Sequence, residues 1–375
     1  MKTERLIRLS KSCIGEAEKQ AVMGVLDREY LGMGAEVHKF EEALKTFFGR
    51  PAVCVVNGTA ALQLAIQAYG IGQNDEVLVQ SLTYVASFQA ISATGATPVA
   101  CDIDPVTLTL DWRDAEKRIT PRSKAVMPVH YSGGVGGLDE IYAFARKHGL
   151  RVIEDAAHAF GSIYHGKCIG SFGDIACFSF DGIKNITSGE GGCIVTEDSE
   201  VLRRVQDARL LGVEKDTEKR YTGQRSWEFD VSTQGWRYHM SNIMAAIGLV
   251  QLRRFPEMAL KRQRLAQCYD HLLIAHPRIE IFKKNYDDVV PHIYMVRIRG
   301  IVNRAILQDQ LLESGIQTGI HYQPNHKLRL YSEMGALPLP VTDLVFSELL
   351  SLPLHPDLNE QDIEYICKEL TRILL

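Results

Sequence analysis

Three short segments hold residues whose types and spacing point to chemistry. NGTAAL, at 57–62, stands where a β-rich run gives way to a helical one. Gly58 lets the backbone approach a ligand closely, and Thr59 offers a hydroxyl beside the first free N–H groups of the helix. Those donors and the positive end of the helix dipole suit a phosphate, although a Gly-Thr pair also serves as an ordinary helix start. RVIEDAAHAFGS, at 151–162, puts Asp155 at the carboxyl end of an apolar run, the edge where open α/β sheets bind ligands. A carboxylate there either caps the next turn or, facing a pyridine nitrogen, keeps that nitrogen protonated and the ring an electron sink. His158, three residues on, reaches the same ring or fills space.

CFSFDGIKNITSGEGG, at 177–192, contributes Ser179 at a strand end, where its hydroxyl is placed to meet a phosphate, and Lys184 ahead of a glycine-rich turn. A loop lysine is ordinarily a solvated charge. The apolar and small neighbours of this one favour a partly desolvated amine of lowered pKa, suited to Schiff-base chemistry. Lys184 follows Asp155 by 29 residues, enough for the chain to leave one strand and return along the next. A phosphate cradle, an Asp, a Ser and a Lys are the parts a pyridoxal phosphate (PLP) site requires.

These residues need a sheet to hold them. Between about residues 50 and 200, AVCVVN, DEVLVQS, TPVACDI, SKAVMPVH, RVIEDA, DIACFSF and CIVTED read as strands alternating with helical patterns. Runs this apolar are buried on both faces and imply mainly parallel pairing in a three-layer α/β domain. After residue 240 the pattern changes. SNIMAAIGLVQLRRF reads as a long helix that Pro256 breaks or bends, and MALKRQRLAQCYDHLLIAH as the helix after it. IYMVRIRG and IQTGIHY read as strands, and RAILQDQLLESG and LNEQDIEYICKEL as helices, of a smaller α+β domain. The expected division is 1–255 for the large domain, with an N-terminal extension, and 256–375 for the small one. The polar stretch 214–230 reads as a long surface loop.

Composition narrows the class. The 375 residues carry a net charge of −4, with 46% hydrophobic and 23% charged residues, the balance of a globular protein and not of a nucleic-acid binder. The charged N-terminus lacks the apolar core of a signal peptide, and no apolar run approaches the ~20 residues of a membrane span. The eight cysteines are scattered without a CxxC or Cys/His cluster, so no metal site and a reduced, cytoplasmic setting are expected.

The same segments, with SLTYVASFQA, YHMSNIMAAIGLVQL, HYQPNH and LSLPLHPDL, resemble the DegT/DnrJ/EryC1/StrS family of sugar aminotransferases. The resemblance starts at IGEAEKQAVMGVLDREYLGMGAEVHKFEEAL and runs over nearly the whole chain. It implies the fold-type I PLP architecture and a homodimer with shared active sites. By resemblance, Lys184 carries the cofactor and shuttles the proton, and Asp155 partners the pyridinium. Thr59, Ala60 and Ser179 hold the phosphate, beside Gly58. Tyr84 stacks on the ring, unless it is a core tyrosine, and His158 contacts the phenolic side. Asn242 matches a residue donated to the neighbouring subunit's phosphate, so mixing Lys184→Ala with Asn242→Ala chains is expected to restore part of the activity. His130, His321 and His326 match positions near the sugar pocket, or are structural. Asp181 stands where many members have an aromatic or a histidine.

The reaction so implied is ping-pong. L-glutamate leaves its amino group on the cofactor as pyridoxamine phosphate, and a nucleotide-linked keto sugar takes it up. The GEGG motif with Glu190 resembles members acting at C4 of the sugar, whereas C3-specific relatives more often show GDGG. Related PLP-dependent dehydratases replace the lysine by histidine, which Lys184 argues against. A non-enzymatic sugar-nucleotide-binding paralogue has no use for an intact Lys/Asp/phosphate set. A nicotinamide oxidoreductase lacks its GxGxxG here.

Overall fold

The structure, a computed structural model, describes residues 6–335 and 337–374. Strands β1 (Ala52–Val55), β2 (Glu76–Gln80), β3 (Thr97–Cys101), β4 (Ser123–Met127) and β5 (Arg151–Asp155) come first. A two-residue hairpin, β6 (Ile163–Tyr164) and β7 (Lys167–Cys168), then leads to β8 (Ile175–Ser179) and β9 (Gly192–Val195). Leaving the hairpin aside, these form one seven-stranded sheet in the order β1-β9-β8-β5-β4-β2-β3. It is mainly parallel, with β9 antiparallel to both of its neighbours.

Every residue of β1, β2, β8 and β9 is buried. Alternation explains why such strands read as unbroken apolar runs. Val53, Val55, Ile175 and Cys177 pack under helices Gly58–Ala68, Val85–Ala93 and Ser199–Ala208. Ala52, Cys54, Ala176 and Phe178 face the other way, toward helix Ala35–Phe48 and the start of helix Asn242–Leu273. The result is a three-layer α/β/α body. The chain then builds a smaller antiparallel sheet from β10 (Ile279–Ile281), β11 (Tyr294–Ile298) and β12 (Leu349–Leu352). Helices Arg304–Glu313 and Glu360–Leu374 cover it.

Three expectations are corrected. The helix from Asn242 continues unbroken to Leu273, 32 residues through Pro256. A helix-interior proline forfeits one hydrogen bond, at about 3 kcal/mol, but Phe255, Met258 and Ala259 on either side are buried in the large core. That packing holds the helix together. The expected division at 255/256 falls inside this helix, whose side chains pass from one core to the other between Ala259 and Leu265. Second, 316–322 is not a strand: it forms only single bridges, Ile316 to Ile7 and Gly319 to Ser351. The first of these docks the N-terminal segment onto the small sheet's side of the molecule. Third, 214–230 contains helix Asp216–Tyr221, pinned by Tyr221 Oη against the buried Glu41 and, at 3.1 Å, Arg209 Nη2.

Candidate active site

At the carboxyl edge of the parallel strands lies a cavity of about 400 Å³ whose wall includes Gly58, Thr59, Tyr84, Asp155, Ser179 and Lys184. All but Lys184 stand at or beside an element's end. Thr59 opens helix Gly58–Ala68, Tyr84 precedes helix Val85–Ala93, and Asp155 and Ser179 end the neighbouring strands β5 and β8.

The start of the first helix makes the anion cradle. Asn57 caps it, accepting the N–H of Ala60 on Oδ1 at 2.8 Å and that of Ala61 on its carbonyl at 3.1 Å. Among the described residues the N–H groups of Gly58 and Thr59 remain open donors, as expected in a first turn. Ser179 Oγ accepts the Asp181 N–H at 3.3 Å, so its own proton is free for a ligand. Glycine is required at 58, because a Cβ there would lie 2.8 Å from Ser179 Cβ. Ala60 stays off the cavity wall with its N–H taken.

Asp155 is 5% exposed. Burial raises its carboxyl above the usual range, opposed by the Ser87 hydroxyl donating to Oδ2 at 2.7 Å and the Ala157 N–H donating to Oδ1 at 3.2 Å. Lys184 is presented by a tight turn in which Asp181 accepts the Ile183 and Lys184 N–H groups. Its amine faces the cavity, and burial takes it down to about 8 although Asp155 and Asp181 pull the other way. A free-base fraction therefore exists near neutrality.

His158 is buried and held well below the usual imidazole range. Its Nδ1 accepts the Ser132 N–H at 3.3 Å, which places the ring proton on Nε2, 2.9 Å from Tyr322 Oη. The Tyr322 proton is thereby turned toward the cavity, whose wall this tyrosine shares with Asp181, Glu190 and His321. Burial, then Asp181, raises Glu190.

Besides Ala60, two residues anticipated near the sugar, His130 and His326, are not brought to the cavity wall. His130 is fully buried, 2.6 Å from Glu154, whose other oxygen accepts the Tyr142 hydroxyl at 2.6 Å. His326 lies between Ser81 Oγ at 2.8 Å and Asp343 at 3.2 Å. Asn242 has both ends of its amide occupied within its own chain. Oδ1 accepts the Glu36 and Val37 N–H groups, and Nδ2 donates to the Tyr30 carbonyl at 2.9 Å. It caps helix Ala35–Phe48, whose N-cap position is Gly34 and has no side chain to do so.

Sequence reasoning missed Ser87, His292 and Tyr322. Tyr322 follows His321 inside a segment already singled out. Ser87 sits one turn along the helix from Tyr84. His292, 3.4 Å from Lys184 Nζ, precedes an apolar strand and reads like any core histidine.

These parts fit PLP: open helix-start donors and a free serine hydroxyl for its phosphate, a buried carboxylate for its ring nitrogen and an amine for its aldehyde. The DegT/DnrJ/EryC1/StrS aminotransferase family model matches residues 12–371. The aminotransferase TlmJ from Streptoalloteichus hindustanus is 32% identical, with 98% of this chain and 99% of that chain covered and a TM-score of 0.91. Spr1654 from Streptococcus pneumoniae in its PLP form is 29% identical over 99% of this chain and 100% of that one, again at 0.91. The same protein has been solved in a pyridoxamine phosphate form. Helicobacter pylori PseC, an aminotransferase involved in the biosynthesis of pseudoaminic acid, is 28% identical over 98% and 99%, also at 0.91. Sequence, fold and site agree that this chain belongs to the DegT/DnrJ/EryC1/StrS aminotransferase family and works as a PLP-dependent aminotransferase.

Proposed function

We propose that the enzyme moves the amino group of L-glutamate to the keto carbon of a nucleotide-linked deoxy sugar, C4 in preference to C3, in two half-reactions that share one cavity. The observation that carries this reading is the Lys184 amine, depressed to about 8, on the wall of the cavity that also holds Asp155 and the open helix start. Bound PLP supplies the electron sink that acidifies the carbon next to the transferred nitrogen. The Gly58 and Thr59 N–H groups and the hydroxyls of Thr59 and Ser179 orient the phosphate. Asp155, held by Ser87 and the Ala157 N–H, keeps negative charge beside the ring nitrogen. Lys184 takes the proton from the substrate carbon and returns it on the other side of the transfer, a task for which a pKa near the working pH is favourable.

Support for a sugar comes from the rest of the wall, where Asp181, Glu190, His321 and Tyr322 offer acceptors and donors to hydroxyl groups. Glu190 within GEGG is the basis for favouring C4. An apolar groove lined by Ile14, Val22, Met23 and Ile247 runs past Gly189, so a second subunit seated there meets the cavity rim. That supports a homodimer with shared sites. A role in amino-sugar supply for surface polysaccharides follows from such a substrate, and a cytoplasmic setting goes with it. No helix among the described residues is long and apolar enough to cross a membrane.

The test is the visible spectrum of the purified protein before and after L-glutamate, then turnover on a panel of nucleotide keto sugars. A yellow band that bleaches with glutamate and is missing in Lys184→Ala supports the reading. A protein that stays colourless with added PLP overturns it, and a yellow protein indifferent to glutamate overturns the assigned donor.

A further inference from the structure

The imidazoles around the cavity differ in what anchors them. His158 has both ring nitrogens engaged, and His321 Nδ1 lies 2.8 Å from Ser351 Oγ. Among the described residues the His292 ring has a single hydrogen-bonding partner. Its Nε2 is 3.4 Å from Lys184 Nζ, and its buried Nδ1 has no hydrogen-bond partner among the described residues. Its backbone is nevertheless fixed. Arg262 Nη1 donates to the His292 carbonyl at 3.1 Å, and Asn185, next in chain to Lys184, donates to the Val290 carbonyl at 3.2 Å. The ring is 3% exposed and stands 4.6 Å from that of His158.

A neutral imidazole carries one N–H. On Nδ1 that proton would be a buried donor with no acceptor, the costlier of the two ways to leave a group unpaired. On Nε2 it points at Lys184 and leaves only a bare lone pair behind. We propose that His292 is a positioning residue for Lys184, donating from Nε2 to the lone pair of the neutral amine and so favouring the uncharged, basic form. The proposal rests on the reading of Lys184 given above.

The surroundings agree in sign. Facing the pair are Asp155 from β5, Asp181 from the Lys184 turn, His158, His321 and Arg262 from the long helix. The carboxylates favour the ammonium form, whereas burial and Arg262 oppose it, and burial prevails. Burial also keeps His292 neutral, with Lys184 beside it acting in the same direction. A bond made only to the free amine is lost when Nζ takes up the substrate proton. The ammonium is then held less firmly than the amine, and the proton is released again. The proton goes from carbon to Nζ and from Nζ onward, and His292 ends as it began.

Competitive acetylation of the full-length apo protein with acetic anhydride across pH, read on the Lys184 peptide by mass spectrometry, gives the midpoint without turnover. The wild-type midpoint is expected at about 8. His292→Leu, which keeps the site apolar and removes the donor, should raise it by roughly half to one pH unit. His292→Gln, whose amide can still donate, should hold it near wild type. A merely structural role would move both variants alike. An unchanged midpoint in folded His292→Leu overturns the proposal, as does an equal rise in both variants. Nitrogen-15 NMR of the wild-type imidazole checks it without substitution, because a proton found on Nδ1 also overturns it. If wild-type Lys184 titrates as an ordinary lysine and the protein binds no PLP, the assignment of Lys184 itself has failed, a separate result.

Discussion

Gly58→Ala is the most direct probe of the phosphate cradle. The added Cβ would lie 2.8 Å from Ser179 Cβ, 3.1 Å from its Oγ and 3.3 Å from its Cα. Ordinary carbon contacts are about 3.5–4.0 Å, so roughly 1 Å is missing. Ser179 cannot retreat, because it pairs with Gly192 in the sheet, and a Cβ on Gly192 would itself lie 2.7 Å from the Asn57 and Phe178 carbonyls. The helix start must therefore move. Overpacking of this kind costs about 1–3 kcal/mol, partly offset by the roughly 0.5–1 kcal/mol that alanine gains over glycine in a helix. Stability should fall only modestly.

Cofactor affinity should fall further, because moving the Gly58 and Thr59 donors weakens at least one hydrogen bond to a charged group. Such a bond is worth about 1.5–3 kcal/mol, or about 10–150-fold in the Kd for PLP. The assay is absorbance titration of apo protein with PLP, alongside thermal unfolding. Ser179→Gly removes the obstructing atoms, so the double variant should bind no worse than Ser179→Gly alone, a strong departure from additivity. Gly58→Ala that binds PLP within twofold of wild type, or two changes that simply add, would refute the reasoning.

Other outcomes follow from the same geometry. Asp155→Asn should keep PLP while lowering kcat by roughly 10²–10³-fold, because the amide still accepts from Ser87 but puts no charge beside the ring nitrogen; steady-state kinetics on cofactor-saturated protein decide it. Burial depresses His321 to about 4 against an unfolded value near 6.5, so the unfolded chain binds the extra proton between these values. This group leaves stability untouched above pH 6.5 and removes up to about 3 kcal/mol as pH falls to 4, and urea unfolding at pH 7 and pH 5 should show a smaller drop in His321→Gln. Asn242→Ala should cost about 0.5–2 kcal/mol through loss of the cap on helix Ala35–Phe48, and an unfolding midpoint identical to wild type would exclude that role.

What was legible in the sequence is what local pattern encodes. Strands buried on both faces print as continuous apolar runs, and their ends mark where Asp155, Ser179 and the helix start emerge. Lys184 stood out because its neighbours are too apolar and small for a solvated charge. Tertiary packing decided the rest. Pro256 signals a break, yet the cores on either side of it keep one helix. The segment 316–322 has a strand's composition but finds only single bridges to distant Ile7 and Ser351. That Asn242 also accepts the N–H groups of Glu36 and Val37, some 200 residues earlier, is a tertiary contact that no local pattern shows. His292 takes its meaning from a lysine 108 residues away.

Burial also explains how two opposite charges can be handled differently in one cavity. It disfavours the carboxylate of Asp155 and the ammonium of Lys184 alike, raising the first and lowering the second. The protein then compensates only one of them. Asp155 receives a hydroxyl and a backbone N–H, both of which stabilise its anion. Lys184 receives no acceptor among the described residues, only the Nε2–H proposed above for His292, and the guanidinium of Arg262 makes the ammonium worse. A permanent charge is thus kept where an electron sink has to be held open, and a removable one where a proton has to come and go. Adding an acceptor beside Lys184 would undo that asymmetry, whereas removing Ser87 would erode it from the other side, as a still higher Asp155 pKa and a weaker hold on the cofactor's ring.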